Sequence, residues 1–335
     1  MKIGIVGAGA IGTLLAHGFT RGGHEVSLVD LPARVAALRA AGGVTVIDPD
    51  GVATQASPAL ITSDIAAVGL QDVVFLATKA QDLPGLASKL PLLTQRVAPV
   101  VTVQNGIPWW YLHGLRPGTD ERIPCLDPSG SLDRYIARDQ IVGCVAYPAA
   151  TVLADGRTRH VEGNAFPIGE AHGGTHERTV RIAGALTDAG FKSRILDDIR
   201  SELWLKAWGA LSLNPVSALT RADLASICSH PLTRELVAKM MREAQEVAEA
   251  FGATFRHTID KRIEGAHAVG AHKTSMLQDV EQGRPLELDA LMLAVLELAA
   301  IARRDTPTIR TVYACVALLD ESLRSSRPET HAAQA

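Results

Sequence analysis

The chain has 335 residues, 47% of them hydrophobic and 21% charged, an ordinary globular composition that is long for one core, so two domains are expected. A formal net charge of -3 excludes a nucleic-acid surface, because phosphate binding needs a clustered basic excess. Cys125, Cys144, Cys228 and Cys315 are widely spaced and form no CxxC or Cys/His ligand set, so no metal site is expected and a reducing compartment fits.

In chain order, KIGIVG (2–7) reads as a short apolar strand, and AIGTLLAHGFTRGG (10–23) as a helix closed by Gly22 and Gly23. Only Lys2 precedes the first strand and glycines interrupt the apolar run, so neither a signal peptide nor a membrane span is expected; the protein reads as cytoplasmic. Strand character returns in HEVSLVD (24–30), DVVFLAT (72–78), PVVTVQN (99–105), QIVGCVAY (140–147) and FKSRILD (191–197), with helices near 33–41, 82–93 and 176–190. This alternation predicts an α/β fold, with an N-terminal Rossmann-type doubly wound sheet over 1–197.

GAGAIG, from Gly7 through Ala8, Gly9, Ala10 and Ile11 to Gly12, fits GxGxxG between a strand and a helix. In such a loop Gly7 permits the tight turn, Gly9 lets a pyrophosphate approach the backbone, and Gly12 lets helix and strand pack closely. Asp30 ends the second strand, where a carboxylate accepts hydrogen bonds from a ribose and repels a 2′-phosphate, so the residues argue for NAD. Arg34 is the counterweight: it either meets a phosphate or faces solvent from its helix, the second being the default.

The stretch 108–139, rich in Gly, Pro, Asp and Arg, is long for a connection inside a compact domain, and reads as a lid or a subunit contact. Within it Trp109 and Trp110 either line a pocket or form a small satellite core. GRTRHVEGNAFPIGE (156–170) predicts a hairpin extending the sheet, with His160 a strand residue rather than a base.

From 198 onward strand patterns stop, and an all-α C-terminal domain over 198–325 is expected, with helices near 198–213, 221–228, 231–251, 257–270, 274–283, 287–304 and 307–324. The tail 326–335 has little to bury and is expected to be disordered. LWLKAWGALSLNP (203–215) sets one charge, Lys206, in an apolar helix. Glu202, four residues earlier, could pair with it, but the helical repeat also aligns Lys206 with Ala210, Leu213 and Ser217 on what would be a buried face. A buried lysine becomes a usable proton donor. Downstream, Ser275 is either a donor to a substrate carboxylate or an N-cap facing Gln278, and Glu287 either balances the lysine or is a first-turn carboxylate favoured by the helix dipole.

GAGAIG (7–12), ATKAQD (77–82), VQNGIP (103–108), HVEGNAFPIGE (160–170), LWLKAWGALSLNPVSALT (203–220) and TSMLQDVEQGRPLELD (274–289) together resemble the ketopantoate reductase family, the 2-dehydropantoate 2-reductases, over most of the chain. The resemblance implies NAD(P)H-dependent reduction of the ketone of a small 2-oxo acid, ketopantoate to pantoate in pantothenate biosynthesis. Lys206 would then be the general acid, Glu287 a catalytic group at the nicotinamide side, Asn214 a substrate or lysine-orienting group and Ser275 a carboxylate contact. Lys79 and Asn105 would hold cofactor and substrate, with backbone near Ala149 touching the cofactor. NADP would be the family's choice, and a homodimer is the candidate assembly. The chain departs from the family pattern at Ala210, where an asparagine is common, and at Val29-Asp30-Leu31, where an arginine usually follows the strand. It also lacks the asparagine often found shortly after the glutamate, in LDALML, and its 108–139 connection is longer than usual. Two rival readings remain: a hydroxy-acid dehydrogenase for another 2-oxo acid, and a nicotinamide-binding regulatory protein without turnover.

Overall fold

The computed structural model describes residues 1–115 and 122–325; the tail 326–335, expected to be disordered, lies outside them, as does part of the 108–139 connection. Two compact units meet in sequence at Glu202 and Leu203.

In the first unit, β1 (Lys2–Val6), α1 (Ala10–Arg21), β2 (Glu25–Val29) and α2 (Pro32–Ala40) follow the expected order. Three strands come next that the sequence reading passed over, β3 (Val44–Ile47), β4 (Ala53–Ala56) and β5 (Leu60–Thr62), and then β6 (Val73–Leu76). The predicted 82–93 helix breaks into single turns, including α3 (Leu83–Leu86) and α4 (Pro91–Thr94), because Pro84 and Pro91 cannot donate within a continuous helix. The unit continues with β7 (Val100–Thr102), α5 (Ser131–Tyr135), β8 (Ile141–Cys144), β9 (Ala149–Val152), β10 (Thr158–Glu162), β11 (Ile168–Glu170) and α6 (Glu177–Asp188).

The main sheet runs β11-β8-β7-β6-β1-β2-β5, parallel except for β11 at its edge. Its strands carry apolar side chains on both faces, as a doubly covered parallel sheet requires. A second sheet, β4-β3-β10-β9, lies on the far side of α1, which touches strands of both. The 156–170 segment therefore does not form one hairpin on the main sheet: β10 pairs with β9 and β3 in the second sheet, and only β11 extends the first. FKSRILD forms isolated bridges, Ala165 with Lys192 and Ile168 with Ile195, rather than a strand.

The second unit is helical: α7 (Ile199–Thr220), whose first turn belongs to the first unit, α8 (Leu224–Ser229), α9 (Pro231–Ala250), α10 (Ile259–Ala268), α11 (Ser275–Glu281), α12 (Ala294–Ala302) and α13 (Pro307–Ser325). α7 runs through Pro215 instead of stopping at 213. The proline forfeits one backbone hydrogen bond, typically costing about 3 kcal/mol, but Leu211, Leu213, Val216 and Ala218 around it are buried, and burying each large aliphatic side chain contributes about 1.5–3 kcal/mol. α13 is capped from outside, its Thr308 and Ile309 N–H groups each donating at 2.9 Å to the Glu243 carboxylate of α9. No helix among the described residues is long and apolar enough to cross a membrane.

Candidate active site

Register builds one edge of the site. Val6 pairs with both Val29 and Leu76, and Leu76 with Thr102, so the C-terminal ends of β1, β2, β6 and β7 are level. Gly7 follows β1, Asp30 follows β2, and Lys79 and Asn105 each stand three residues past β6 and β7. Strand order reverses at β1, and ligands of open α/β sheets bind at such a reversal, beyond the carboxyl ends.

The loop has the shape a dinucleotide needs. Gly7 has φ +107°, and a Cβ there would lie 2.6 Å from Thr78 N. A Cβ on Gly12 would overlap the Gly7 carbonyl oxygen, whereas one on Gly9 would meet nothing within 4 Å. The backbone is thus closed where helix packs on strand and open where a pyrophosphate would approach, so the cradle fits the cofactor.

Asp30 ties into this loop: Ala8 N–H donates to Oδ2, and Leu31 N–H donates to Oδ1 at 2.6 Å. Arg34 does not face solvent. Its Nε donates to Ala8 O at 3.1 Å, one terminal nitrogen to Gly156 O at 3.0 Å and the other to Thr13 Oγ1 at 3.4 Å. Burial lowers the Arg34 pKa, with the Asp30 charge opposing. Sequence spacing could not reveal this role, because Gly156, in the β9–β10 turn, is 122 residues away. Gln104 was also passed over; its amide donates to Leu76 O at 2.7 Å and Thr78 O at 3.2 Å, linking the two strand ends that carry Lys79 and Asn105. Ala149 lies apart from the level strand ends, as the first residue of β9 in the second sheet.

The connection after Asn105 is buried over its first residues, 107–113, and exposes several side chains between 122 and 139. Trp109 and Trp110 are 4% and 0% exposed, and Tyr111, Leu112 and His113 are buried with them. The Trp110 indole donates to Thr102 Oγ1 at 3.0 Å. Arg200 secures the segment, donating to the carbonyls of Tyr111, His113 and Ala171 at 2.8, 2.6 and 2.6 Å. His113 and Asp133 approach to 2.9 Å. Trp110 fits the satellite-core reading, whereas Trp109, likewise buried, also lines a small cavity.

On α7, Lys206, Ala210 and Asn214 are half-buried, and every other residue from 202 to 218 is buried. This corrects the predicted face: Leu213 and Ser217 belong to the interior, while Lys206 shares its accessible stripe with Ala210 and Asn214 at a spacing of four. Glu202 is buried and accepts a hydrogen bond from the Tyr147 hydroxyl at 2.5 Å, a contact 55 residues apart that the helical spacing could not disclose.

Asn214 Nδ2 and Ser275 Oγ approach to 3.5 Å across 61 residues. Ser275 is not the N-cap of α11. Thr274 is, accepting from Leu277 N–H at 3.2 Å, which leaves the Ser275 hydroxyl outside the capping geometry. Glu287 precedes a π turn at Asp289–Leu293, where backbone bonds reach one residue further than in an α-helix; such turns recur at functional sites. Its approach is fixed by Arg284 Nε on Asp279 at 2.7 Å and by Leu286 N–H on Asp320 at 2.8 Å. Burial pushes the Asp289 carboxyl up, Arg324 opposing it. Among the described residues no group of three or more His, Cys, Asp or Glu could hold a metal ion.

The family model described as Ketopantoate reductase PanE/ApbA matches residues 3–173, and that for the ApbA C-terminal domain matches 198–320. A 2-dehydropantoate 2-reductase of Mesorhizobium japonicum is 45% identical over 319 residues, covering 94% of this chain and 97% of its own. A crystal structure from Ralstonia solanacearum MolK2, provisionally named a ketopantoate reductase, superposes with TM-score 0.89 at 32% identity, over 96% of this chain and 98% of its own. The fold is also that of a D-mandelate dehydrogenase solved with NADH and anilino(oxo)acetate, at TM-score 0.81 and 19% identity, over 97% of this chain and 100% of its own.

Proposed function

This chain belongs to the ketopantoate reductase family and is an oxidoreductase acting on CH-OH donors with a nicotinamide cofactor; from that premise we propose that it reduces the ketone of ketopantoate, with Lys206 as general acid. The observation that carries the reading is the accessible stripe of α7: Lys206 and Asn214 are the polar side chains on it, and Asn214 reaches Ser275.

Bound NAD(P)H supplies the hydride. Lys206 holds the proton that the carbonyl oxygen takes up as it becomes an alkoxide, so the ketone ends as an alcohol. Asn214 and Ser275 present an amide and a hydroxyl to the substrate carboxylate, and Glu287 balances charge at the nicotinamide side. Gly7 to Gly12 cradle the pyrophosphate, Lys79 and Asn105 hold cofactor and substrate at the strand ends, and the backbone of Ala149 adds a cofactor contact. In this scheme 1–197 is the nucleotide-binding domain and 198–325 the substrate and catalytic domain.

NADH is the proposed donor, since the carboxylate of Asp30 repels a 2′-phosphate. Arg34 beside the same loop moderates that preference without reversing it, because its guanidinium is already engaged by three protein oxygens. Ala210 favours a second reading, a related hydroxy-acid dehydrogenase for a bulkier 2-oxo acid, because it leaves the middle of the stripe without a polar group.

The test follows nicotinamide absorbance with NADH and NADPH across a panel of 2-oxo acids. Ketopantoate is expected to give the highest kcat/KM. Higher turnover of a bulkier acid selects the second reading, and no oxidation with any of them overturns both.

A further inference from the structure

Beneath the ends of β6 and β7 lies a cavity of about 10 Å³, lined by Gln104 and Trp109 with Ala80, Leu83, Ile107 and Leu126 among its apolar walls. Two of the residues lining it each carry a buried polar atom with no hydrogen-bond partner among the described residues, Trp109 Nε1 and Gln104 Oε1. Their chemistry is complementary, for the indole N–H can only donate and the amide oxygen can only accept. The amide cannot be turned to exchange its ends, because its nitrogen donates to the carbonyls of Leu76 and Thr78, which need a donor.

A buried polar atom left unpaired costs about 1–3 kcal/mol, and one water shared by these two atoms would offset that cost at both. An apolar cavity of this size stays dry, whereas one with a donor and an acceptor at its wall holds a water molecule, for which roughly 10–15 Å³ suffices.

We propose that Trp109 Nε1–H and Gln104 Oε1 share one internal water, and that through it Trp109 acts as a positioning residue for Lys79 and Asn105. The linkage is short. The water fixes the Gln104 side chain, whose amide nitrogen holds Thr78 O beside Lys79, while Asn105 follows Gln104 in the chain. Trp109 itself is held by its buried neighbours in the 108–115 segment, so the site transmits the rigidity of that core to the level strand ends. The inference rests on the proposed role of Lys79 and Asn105 in holding ligand.

Trp109→Phe keeps most of the ring and removes the N–H. Titration calorimetry with NADH, NADPH and ketopantoate, run on wild type and variant, is expected to show about a 3- to 10-fold weaker Kd for at least one of these probes, the equivalent of one net hydrogen bond. The kcat of the variant should change less than its KM, which separates positioning from a loss of folded protein. Gln104→Met, which also loses the bonds to Leu76 O and Thr78 O, should weaken binding at least as much, and the double variant should be no worse than Gln104→Met alone. A high-resolution crystal structure of the wild type should place a water within hydrogen-bonding distance of both atoms. A dry cavity, or additive losses in the double variant, overturns the proposal. Because the crystallographic and calorimetric readouts need no turnover, a wild type inactive on every 2-oxo acid would refute the reductase reading and leave this test standing.

Discussion

The glycine-loop edge of the first unit and the lysine stripe of the second reach their geometry by different means. At the edge the backbone decides: strand register makes four chain ends level, and the loop conformation excludes side chains at Gly7 and Gly12. On α7 the side chains decide, since three half-buried positions at a spacing of four interrupt an otherwise buried stretch from 202 to 218. A backbone-built site should fail through steric intrusion and barely notice loss of one exposed side chain. A side-chain-built site should do the reverse.

The largest expected effect belongs to the stripe. Lys206→Ala should lower kcat by about 10²- to 10⁴-fold with little change in nicotinamide affinity, measured by absorbance for the first and calorimetry for the second. Undiminished turnover would remove the general-acid role, whatever the substrate. At the edge the matching intrusion is Gly12→Ala. Its methyl group would overlap the Gly7 carbonyl, and overpacking of this kind costs about 1–3 kcal/mol. Nicotinamide affinity should drop by roughly 10- to 100-fold, with thermal stability also reduced; full affinity would show that the loop relaxes and that the contrast is weaker than drawn.

The same contrast explains what could be read in advance. The glycine motif, Asp30 and the strands that carry them depend on short-range pattern, and all were legible. β3 and β4 were passed over because each has only four residues, yet a signal was present in Asp48-Pro49-Asp50-Gly51, a turn sequence between two extended runs. There Gly51 takes φ +85° and Val52 N–H donates to the Asp48 carboxylate at 2.8 Å. On α7 the 3.6-residue period was legible but its accessible side was not. The segment is apolar nearly all round, and the local mark of that side was the polar Asn214, two steps of four after Lys206, against a competing Ser217 on the neighbouring stripe. Arg34, Gln104 and Tyr147 escaped for another reason: their partners lie 22 or more residues away along the chain, apart from the Arg34 contact to Thr13 at 21.

Away from both sites, Glu170 on β11 is a control for intrusion by charge rather than volume. Burial pushes its carboxyl up, but hydrogen bonds from Arg178 and Thr179, with the Arg178 charge, outweigh burial and hold its pKa below the ordinary carboxylate value. A carboxylate depressed in the folded state adds stability above its unfolded pKa and loses it as pH falls through the folded one. Glu170→Gln should therefore cost about 1–3 kcal/mol near neutral pH, and the difference from wild type should narrow as pH falls below the ordinary carboxylate range. Thermal melts across that range would show it; a gap that widens toward acid would reverse the sign assigned to the pair.

The smallest effect is the most discriminating, because it asks whether one side chain matters at the backbone-built edge. Asp30 accepts from Ala8 and Leu31 N–H, so Asp30→Ala removes both a clamp on the loop and the charge that would repel a 2′-phosphate. If charge dominates, affinity for NADPH rises while that for NADH falls, and the ratio of the two moves by roughly 3- to 10-fold, about 1 kcal/mol of net interaction. If the clamp dominates, both affinities fall together and the ratio is unchanged. The second outcome would show that the Asp30 charge does not set the cofactor choice, and would withdraw the argument for NADH that rests on it.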